Sequence, residues 1–517
     1  MLVNSARWGR LKIAAALAVV MLGAAACGGV SGSDAGAGAD VDGGTLTAAV
    51  YGEMASYDPV KVTYPGVGLE RAVAVMGSLM SIDDRTGEVY PYMAQSFESG
   101  DGKTWTLKLR DGVTFTDGEP FDAEAVKFNL ERHLAADSVS VAKPYLAGMT
   151  LRVVDASTLE IISPTPDGSL PITLAGAAGV IGSPKALQDP KTFGNAPVGA
   201  GPFVLTKWAR DNETLMDANR GYWDAGKPYL DKVVWRPLPD ADARSNAMLS
   251  GNLNFSPVER AAIPQLDNGA ITVFDKEVVG GMALFLNNDR GPTKDKRVRE
   301  ALWKAFDPKV TAKVLYNGEW NGNLECLPFA ISSPDCLKGV YPKYDEEGAK
   351  KLVAEYLADG GDPNVTVTVI SGYVGTDYFL DRLNSIGLKA TSESVDVSTL
   401  ATKTVGGDFD IQVNGTAQGP FPAYWNRLNS KSPNNAYRTT VPGLDEKLAE
   451  VRAAIDPQVR SAAWQDVQQI VADESLLLWV SAYNPVYATQ KARFVGAGGS
   501  DYKGSSLIYL DSTKLQG

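Results

Sequence analysis

The sequence predicts an α/β protein with more than one folded unit. Runs with alternating apolar residues and runs with apolar residues three and four apart follow one another along the chain, as "TWTLKLRDG" is followed by "FDAEAVKFNLERHL". A chain of 517 residues exceeds what one hydrophobic core usually serves, so two or more domains, or one split across the sequence, are expected. No stretch repeats with a period of about 20 to 50 residues, which excludes a solenoid. With 44% hydrophobic and 21% charged residues the composition is that of a globular protein, not a disordered or fibrous one.

The first residues are set apart from the rest. Arg7, Arg10 and Lys12 precede the apolar "IAAALAVVMLGAAA" of residues 13–26, too short to span a bilayer and shaped like an export signal. Ala24, Ala25 and Ala26 followed by Cys27 and Gly28 resemble a bacterial lipoprotein cleavage box, in which the cysteine is lipidated and becomes the new N-terminus. Ala24 stands where that box usually has Leu, and a secretory signal cut after Ala-x-Ala is the alternative. The lipoprotein is favoured because a free thiol in an exported tail would be a liability. Residues 1–26 are thus expected to be a signal peptide. Residues 27–43, "CGGVSGSDAGAGADVDG", would be a lipidated flexible tether with a reach of roughly 5–6 Å × √n. The body would lie outside the cytoplasm, anchored to the cell membrane by that lipid. No later run approaches about 18 apolar residues.

Removing residues 1–26 deletes those three basic residues and no acidic one, which moves the net charge from −12 to −15. Such a surface argues against nucleic acid as a partner. Cys326 and Cys336, in "CLPFAISSPDC", lie close together outside the cytosol, and a disulfide between them is expected. Zinc is the weaker alternative: two cysteines and the single, distant His133 do not make a usual four-ligand site. No cofactor is expected.

The elements follow in order. "GGTLTAAVYG" gives a strand from Leu46 to Tyr51, and "ASYDPV" a Tyr-Asp-Pro turn. Leu69, Val73, Met76, Leu79 and Met80 have helical spacing. Trp105, Leu107 and Leu109 alternate with polar residues as on a half-buried strand, and Asp122 is the expected N-cap of a helix carrying Val126, Leu130 and Leu134. "VVDASTLEIIS" predicts one further strand, and "FVLTKW" and "KVVWRPLP" two more. The second half begins with the strand "GGMALFLNN" and a helix with Val298, Ala301, Leu302, Ala305 and Phe306 on one face. Another helix is capped by Asp345 and stopped by Gly360. "NVTVTVIS", "DFDIQV" and "SLLLWVSAYNPVYA" predict strands, and "GLDEKLAEVRAAID" and "RSAAWQDVQQIVAD" amphipathic helices.

Several of these stretches together resemble the solute-binding proteins of peptide, nickel and related ABC importers, the extracellular solute-binding protein family 5. They are "AQSFESGDGKTWTLKLRDGVTFTDGEPFDAEAVKFNLER", "PVGAGPFVLTKW", "NRGYWDAGKPYLDKVVWRPLPDADARSNAMLSGNLNF", "LNNDRGPTKDKRVREALWKAFD" and "YDEEGAKKLVAEYL". They cover most of the chain in the family's order and are specific as a set. The resemblance implies a two-lobed periplasmic-binding-protein clamp. Lobe I would be discontinuous, residues 44–84, 201–265 and 485–517, with an extra subdomain at 85–200, and lobe II would be 266–484. It implies reversible encapsulation of a small-molecule or oligopeptide ligand by a monomer that delivers it to an ABC permease, with no bond made or broken.

In the family the cleft walls come from the Tyr-Asp-Pro region, from the loop after the strand matching "DFDIQV" and from the strand matching "WVSAYNPVY". Carried over residue by residue, this points to Tyr57 and Asp58, to Gly415, Thr416 and Gln418, and to Tyr483 and Asn484. Trp425, Tyr424 and Trp320 stand one step removed. For Trp320 and Trp425, in Gly/Pro-rich loops, packing and ligand contact are evenly matched. For Trp105, Trp208, Trp223, Trp235 and Trp303 core packing is expected. Peptide-binding members often place an acid in the loop where "GTAQGPFP" has Gln418 and Gly419. Burying an ammonium against a neutral amide leaves it poorly compensated, which favours a neutral or hydroxyl-rich solute or an unusual peptide. Asp58 could still supply a charge.

The rival class is an exported glycoside or peptide hydrolase. No G-x-S-x-G, H-E-x-x-H or S-x-x-K set occurs, and a lone His133 on a helix beside Arg132 is far more often structural than catalytic. A ligand sensor or chaperone on the same fold is indistinguishable by sequence.

Overall fold

The computed structural model describes residues 40–62, 68–83, 86–275, 280–316, 324–341, 343–371, 373, 375–416, 421–432, 435–438, 440–482, 486–495 and 507–516. Three principal sheets organise them.

The first sheet has seven strands in the order Thr272–Asp275, Val486–Thr489, Phe255–Val258, Thr45–Val50, Lys232–Pro237, Glu213–Ala218 and Phe203–Ala209. Alternation in Thr45–Val50 turns Leu46, Ala48 and Val50 inward, where they meet Val233, Trp235, Met216 and Phe255. Helix Leu69–Met76 covers them and is buried on every side: its apolar residues join that core, and Glu70 and Arg71 are buried beside them. The helical spacing predicted through Leu79 and Met80 breaks at Gly77. With φ +76°, and with the Met93 side chain within 2.8 Å of where a Cβ would sit, Gly77 ends the helix. Met80 then begins a strand, Met80–Asp83, paired with Glu88–Pro91.

The second sheet is antiparallel, in the order Ala94–Glu98, Thr104–Leu109, Thr158–Ile162 and Thr150–Asp155. Trp105, Leu107 and Leu109 face its core, and helix Ala123–Leu134 packs there through Val126 and Leu130. The Asp122 carboxylate caps that helix by accepting from the Ala125 N–H at 2.9 Å. "VVDASTLEIIS" is two strands, not one. The Asp155 carboxylate accepts from the Ser157 N–H and hydroxyl at 2.8 and 3.0 Å and folds the run into a hairpin.

The third sheet, in the order Lys389–Val395, Asn364–Ile370, Ile411–Thr416, Gly281–Leu286 and Leu477–Ala482, is mixed. Its core takes Val298, Ala301, Leu302 and Ala305 from helix Lys296–Ala305. Phe306 joins them just past the helix end, so the predicted face holds. Helix Glu346–Ala358 is capped by Asp345, and Gly360 follows it at φ +85°. Cys326 and Cys336 are disulfide-bonded beside this core.

The chain passes between the first and third sheets twice near the same place: between Asp275 and Gly281, and between Ala482 and Val486. Asp275 pairs with Val486 on one side and Gly281 with Ala482 on the other. The single predicted region "SLLLWVSAYNPVYA" is therefore two strands in two sheets. No helix among the described residues is long and apolar enough to cross a membrane.

Candidate ligand site

The Tyr-Asp-Pro turn is held by its own polar groups. The Asp58 N–H donates to the Ser56 hydroxyl at 3.1 Å, and the Asp58 carboxylate accepts from the Val60 N–H at 3.3 Å as cap of the short turn Pro59–Lys61. That carboxylate is 1% exposed and takes a forked pair of bonds from Arg132, Nη1 to Oδ1 at 2.8 Å and Nη2 to Oδ2 at 3.0 Å. Both its oxygens thus face a cation of the chain itself. Tyr57 is fully buried, edge-on to Trp208 with ring centroids 5.0 Å apart. Burial raises its hydroxyl pKa, so the phenol stays protonated. Trp208 carries the Arg210 guanidinium over its ring at 4.0 Å. Nearby Glu53 accepts from the Met54 and Asp211 N–H groups at 2.8 and 2.9 Å and from Arg71 at 2.9 Å. Burial raises the Glu53 pKa, but those backbone bonds and the Arg71 charge outweigh it and the net shift is downward.

Arg132 and His133 share helix Ala123–Leu134. His133 is buried, its Nδ1 2.5 Å from the Ser140 hydroxyl. Burial, helped by the Arg132 charge and opposed by Asp58, pushes its pKa down to about 4. A neutral imidazole bound to one hydroxyl fits the structural role expected of it.

On the third sheet, strand Ile411–Thr416 ends with Gly415 opposite Met282 and Thr416 opposite Gly281. Gly415 is exposed. A Cβ on Gly281 would sit 2.0 Å from the Ser481 carbonyl oxygen, so the strand ends approach as closely as backbones can. The chain resumes in a wide helical turn, Phe421–Trp425. Phe421 and Tyr424 point into the core: Phe421 is edge-on to Trp464 at 5.1 Å, and the Tyr424 hydroxyl donates to the Leu327 carbonyl at 3.0 Å. Trp425 is half-buried, with the Arg452 guanidinium 4.5 Å above its ring. Two of the three aromatics of this loop are buried anchors; the third, Trp425, is partly buried against the same core.

Of the residues singled out from sequence, the structure brings Tyr57 and Asp58 together in one turn, with Gly415 and Trp425 on the two flanks of a single loop. Trp320, Gln418, Tyr483 and Asn484, Cys27, and the side chain of Thr416 lie outside the described residues. Sequence reading missed Arg132, Arg71 and Arg452, whose partners lie 74, 18 and 285 positions away. The sequence offers no local signal for these pairs. Trp105, Trp235 and Trp303 are buried as expected, and Trp223 is half-buried beneath Arg110 at 4.3 Å. Among the described residues no group of three or more His, Cys, Asp or Glu is placed to hold a metal ion.

A mixed fold of separate sheets joined by two crossings is the architecture of two-lobed periplasmic binding proteins. Residues 88–438 match the family described as bacterial extracellular solute-binding proteins, family 5 middle, and the chain belongs to that family. The glutathione-binding protein GsiB of Escherichia coli (strain K12) is 28% identical over 423 residues, covering 76% of this chain and 80% of that protein. The ABC transporter-associated periplasmic binding protein DppA of Helicobacter pylori, solved with the peptide STSA, superposes with a TM-score of 0.75 at 20% identity over 92% of this chain and 99% of that one. NikA of Brucella suis, solved with Fe(III)-EDTA, gives 0.76 at 21% identity over 91% and 100%.

Proposed function

We propose that this chain is the substrate-binding component of an ABC importer, a non-enzymatic monomer that closes over a peptide-like or other small organic solute and hands it to a permease. It would be exported by its signal peptide and held at the outer side of the cell membrane by a lipid on Cys27. Lobe I would comprise 44–84, 201–275 and 486–516 with the subdomain at 85–200, and lobe II 281–482. This extends lobe I to Asp275, because strand Thr272–Asp275 pairs in the seven-stranded sheet. The ligand would meet Tyr57 and Asp58 on one side, Gly415, Thr416, Gln418 and Trp425 on the other, with Trp320, Tyr483 and Asn484 near the junction.

Family membership over the middle of the chain carries the general statement. The internal ion pairs of the Tyr-Asp-Pro turn carry the finer one. Asp58 is matched by Arg132 and Glu53 by Arg71, so neither carboxylate stands unpaired to receive a free α-ammonium. With Gln418 where an acid is common, a solute recognised through amides and hydroxyls fits better than a peptide gripped by its N-terminus. The test is a thermal-shift screen of the purified protein against di- to pentapeptides, glutathione, oligosaccharides and metal chelates. A true ligand at 100 times its dissociation constant stabilises by about 2.7 kcal/mol. If no solute raises the melting temperature, the receptor assignment fails.

A further inference from the structure

Arg452, in the last turn of helix Leu444–Ala453, makes three contacts at once. Its Nε and Nη2 donate to Oδ2 of Asp167 at 2.8 and 2.6 Å. Its guanidinium covers Trp425, and its carbonyl oxygen accepts from the Gly168 N–H at 2.5 Å. Asp167 is fully buried and preset for this partner, since its other oxygen accepts from the N–H and hydroxyl of Ser169 at 3.0 and 2.5 Å. Gly168 has no room for a side chain: a Cβ would lie 2.0 Å from the Ala454 carbonyl oxygen. Alongside, the Asn426 amide donates to the Tyr145 hydroxyl at 2.7 Å, and Ile172 packs on the core of the third sheet.

The contacts of Arg452 with Asp167 and Gly168, of Asn426 with Tyr145 and of Ile172 with the core join the unit around the four-stranded sheet to the unit around the five-stranded one, whereas the Arg452–Trp425 contact lies within the latter. None runs through the two strand crossings that connect sheets covalently. A contact of this kind breaks when the units part, whereas a contact at a crossing survives. The guanidinium that makes it also lies on Trp425, the half-buried aromatic of the candidate wall.

We propose that Arg452 is a positioning residue that couples the ligand wall to closure: it seats Trp425 and clasps Asp167 in the same arrangement, so that ordering of the wall and closing of the clamp are one event. This rests on the receptor function proposed above. A carboxylate buried and preset with a forked cation is a discrete, all-or-none contact, the kind that makes two arrangements distinct.

The test needs no ligand. Spin labels at Val154→Cys and Val459→Cys, exposed positions on the two units (50% and 58%), report their separation by pulsed electron–electron resonance in the mature chain carrying Cys27→Ser. Arg452→Ala and the isosteric Asp167→Asn are expected to raise the ratio of long to short separations at least about tenfold, with Arg452→Lys between them and the parent. Gly168→Ala, which forces the backbones apart without altering charge, is expected to shift it the same way. Circular dichroism and melting curves establish that each variant is folded. If folded Arg452→Ala and Asp167→Asn keep the parent distance distribution, the contact is a static brace and the proposal is overturned. That failure would leave the receptor function standing, since the latter is decided by the thermal-shift screen alone.

Discussion

His133 sits one residue from the cation that neutralises Asp58, and its burial makes it the titrating group whose effect on stability has the clearest sign. In the unfolded chain an imidazole takes up a proton near pH 6.5; in the fold burial delays this to about pH 4. Between those values the unfolded state binds more protons, so stability is full above about pH 6.5 and is lost as pH falls toward 4. The loss integrates to on the order of 3 kcal/mol. His133→Gln, an uncharged group able to reach the Ser140 hydroxyl, is expected to remove the one-proton slope between pH 6.5 and 5, where few carboxylates titrate. Urea denaturation at half-unit pH steps reads this out. An unaltered slope would mean that the imidazole titrates normally in the fold. The same helix shows what a sequence conceals at this scale. His133 as structural follows from its standing as the single histidine, outside any catalytic motif, but Arg132 against Asp58 joins positions 74 apart and has no local signature.

At the scale of elements, the disulfide loop, the wide turn and the half-buried tryptophan form a chain of support. The Leu327 carbonyl, next to Cys326, accepts from the hydroxyls of both Tyr341 and Tyr424 at 2.7 and 3.0 Å, and Tyr424 precedes Trp425. Gln468 holds the other end, accepting from the Leu337 N–H at 3.0 Å and donating to the Asp335 carbonyl at 2.7 Å. Because these bonds fix the loop independently of sulfur, Cys326→Ser with Cys336→Ser is expected to cost only the loop-closure part, about 2–3 kcal/mol. Secondary structure should be unchanged. A denaturant midpoint equal to that of the parent would show that the bond contributes nothing. The elements most legible in the sequence are those whose signals are local: caps at Asp122 and Asp345, alternation in Thr104–Leu109, the apolar face of Lys296–Ala305. The misread ones turn on a single residue acting against a periodic pattern. Gly77 stops a helix whose apolar spacing continues past it, and Asp155 folds a strand back on itself. The split of "SLLLWVSAYNPVYA" between sheets depends on pairing partners two hundred positions away, which no window along the chain contains.

For the whole molecule, the family fold sets where a solute is held but not which one. The same architecture was solved with a peptide in DppA and with a metal chelate in NikA. Discrimination must therefore come from the loops that meet the solute, and charge is their strongest lever, because an ammonium buried without a counter-ion is costly by several kcal/mol. In this chain Asp58 and the nearby Glu53 are matched internally by Arg132 and Arg71, and in the proposed receptor the loop after strand Ile411–Thr416 would decide whether a cationic end is welcome. Gln418→Asp tests this by restoring an acid there. Under the placement proposed for it at the ligand wall, the change is expected to alter stability by no more than about 0.5 kcal/mol. It is expected to enlarge the thermal shift produced by peptides with a free α-amino group relative to their N-acetylated forms. The comparison of those two peptide sets on parent and variant isolates the ammonium from every other feature of the ligand. If the ratio of shifts is the same in both proteins, residue 418 does not face the solute, and the neutral wall cannot be the reason for any ligand preference the receptor shows.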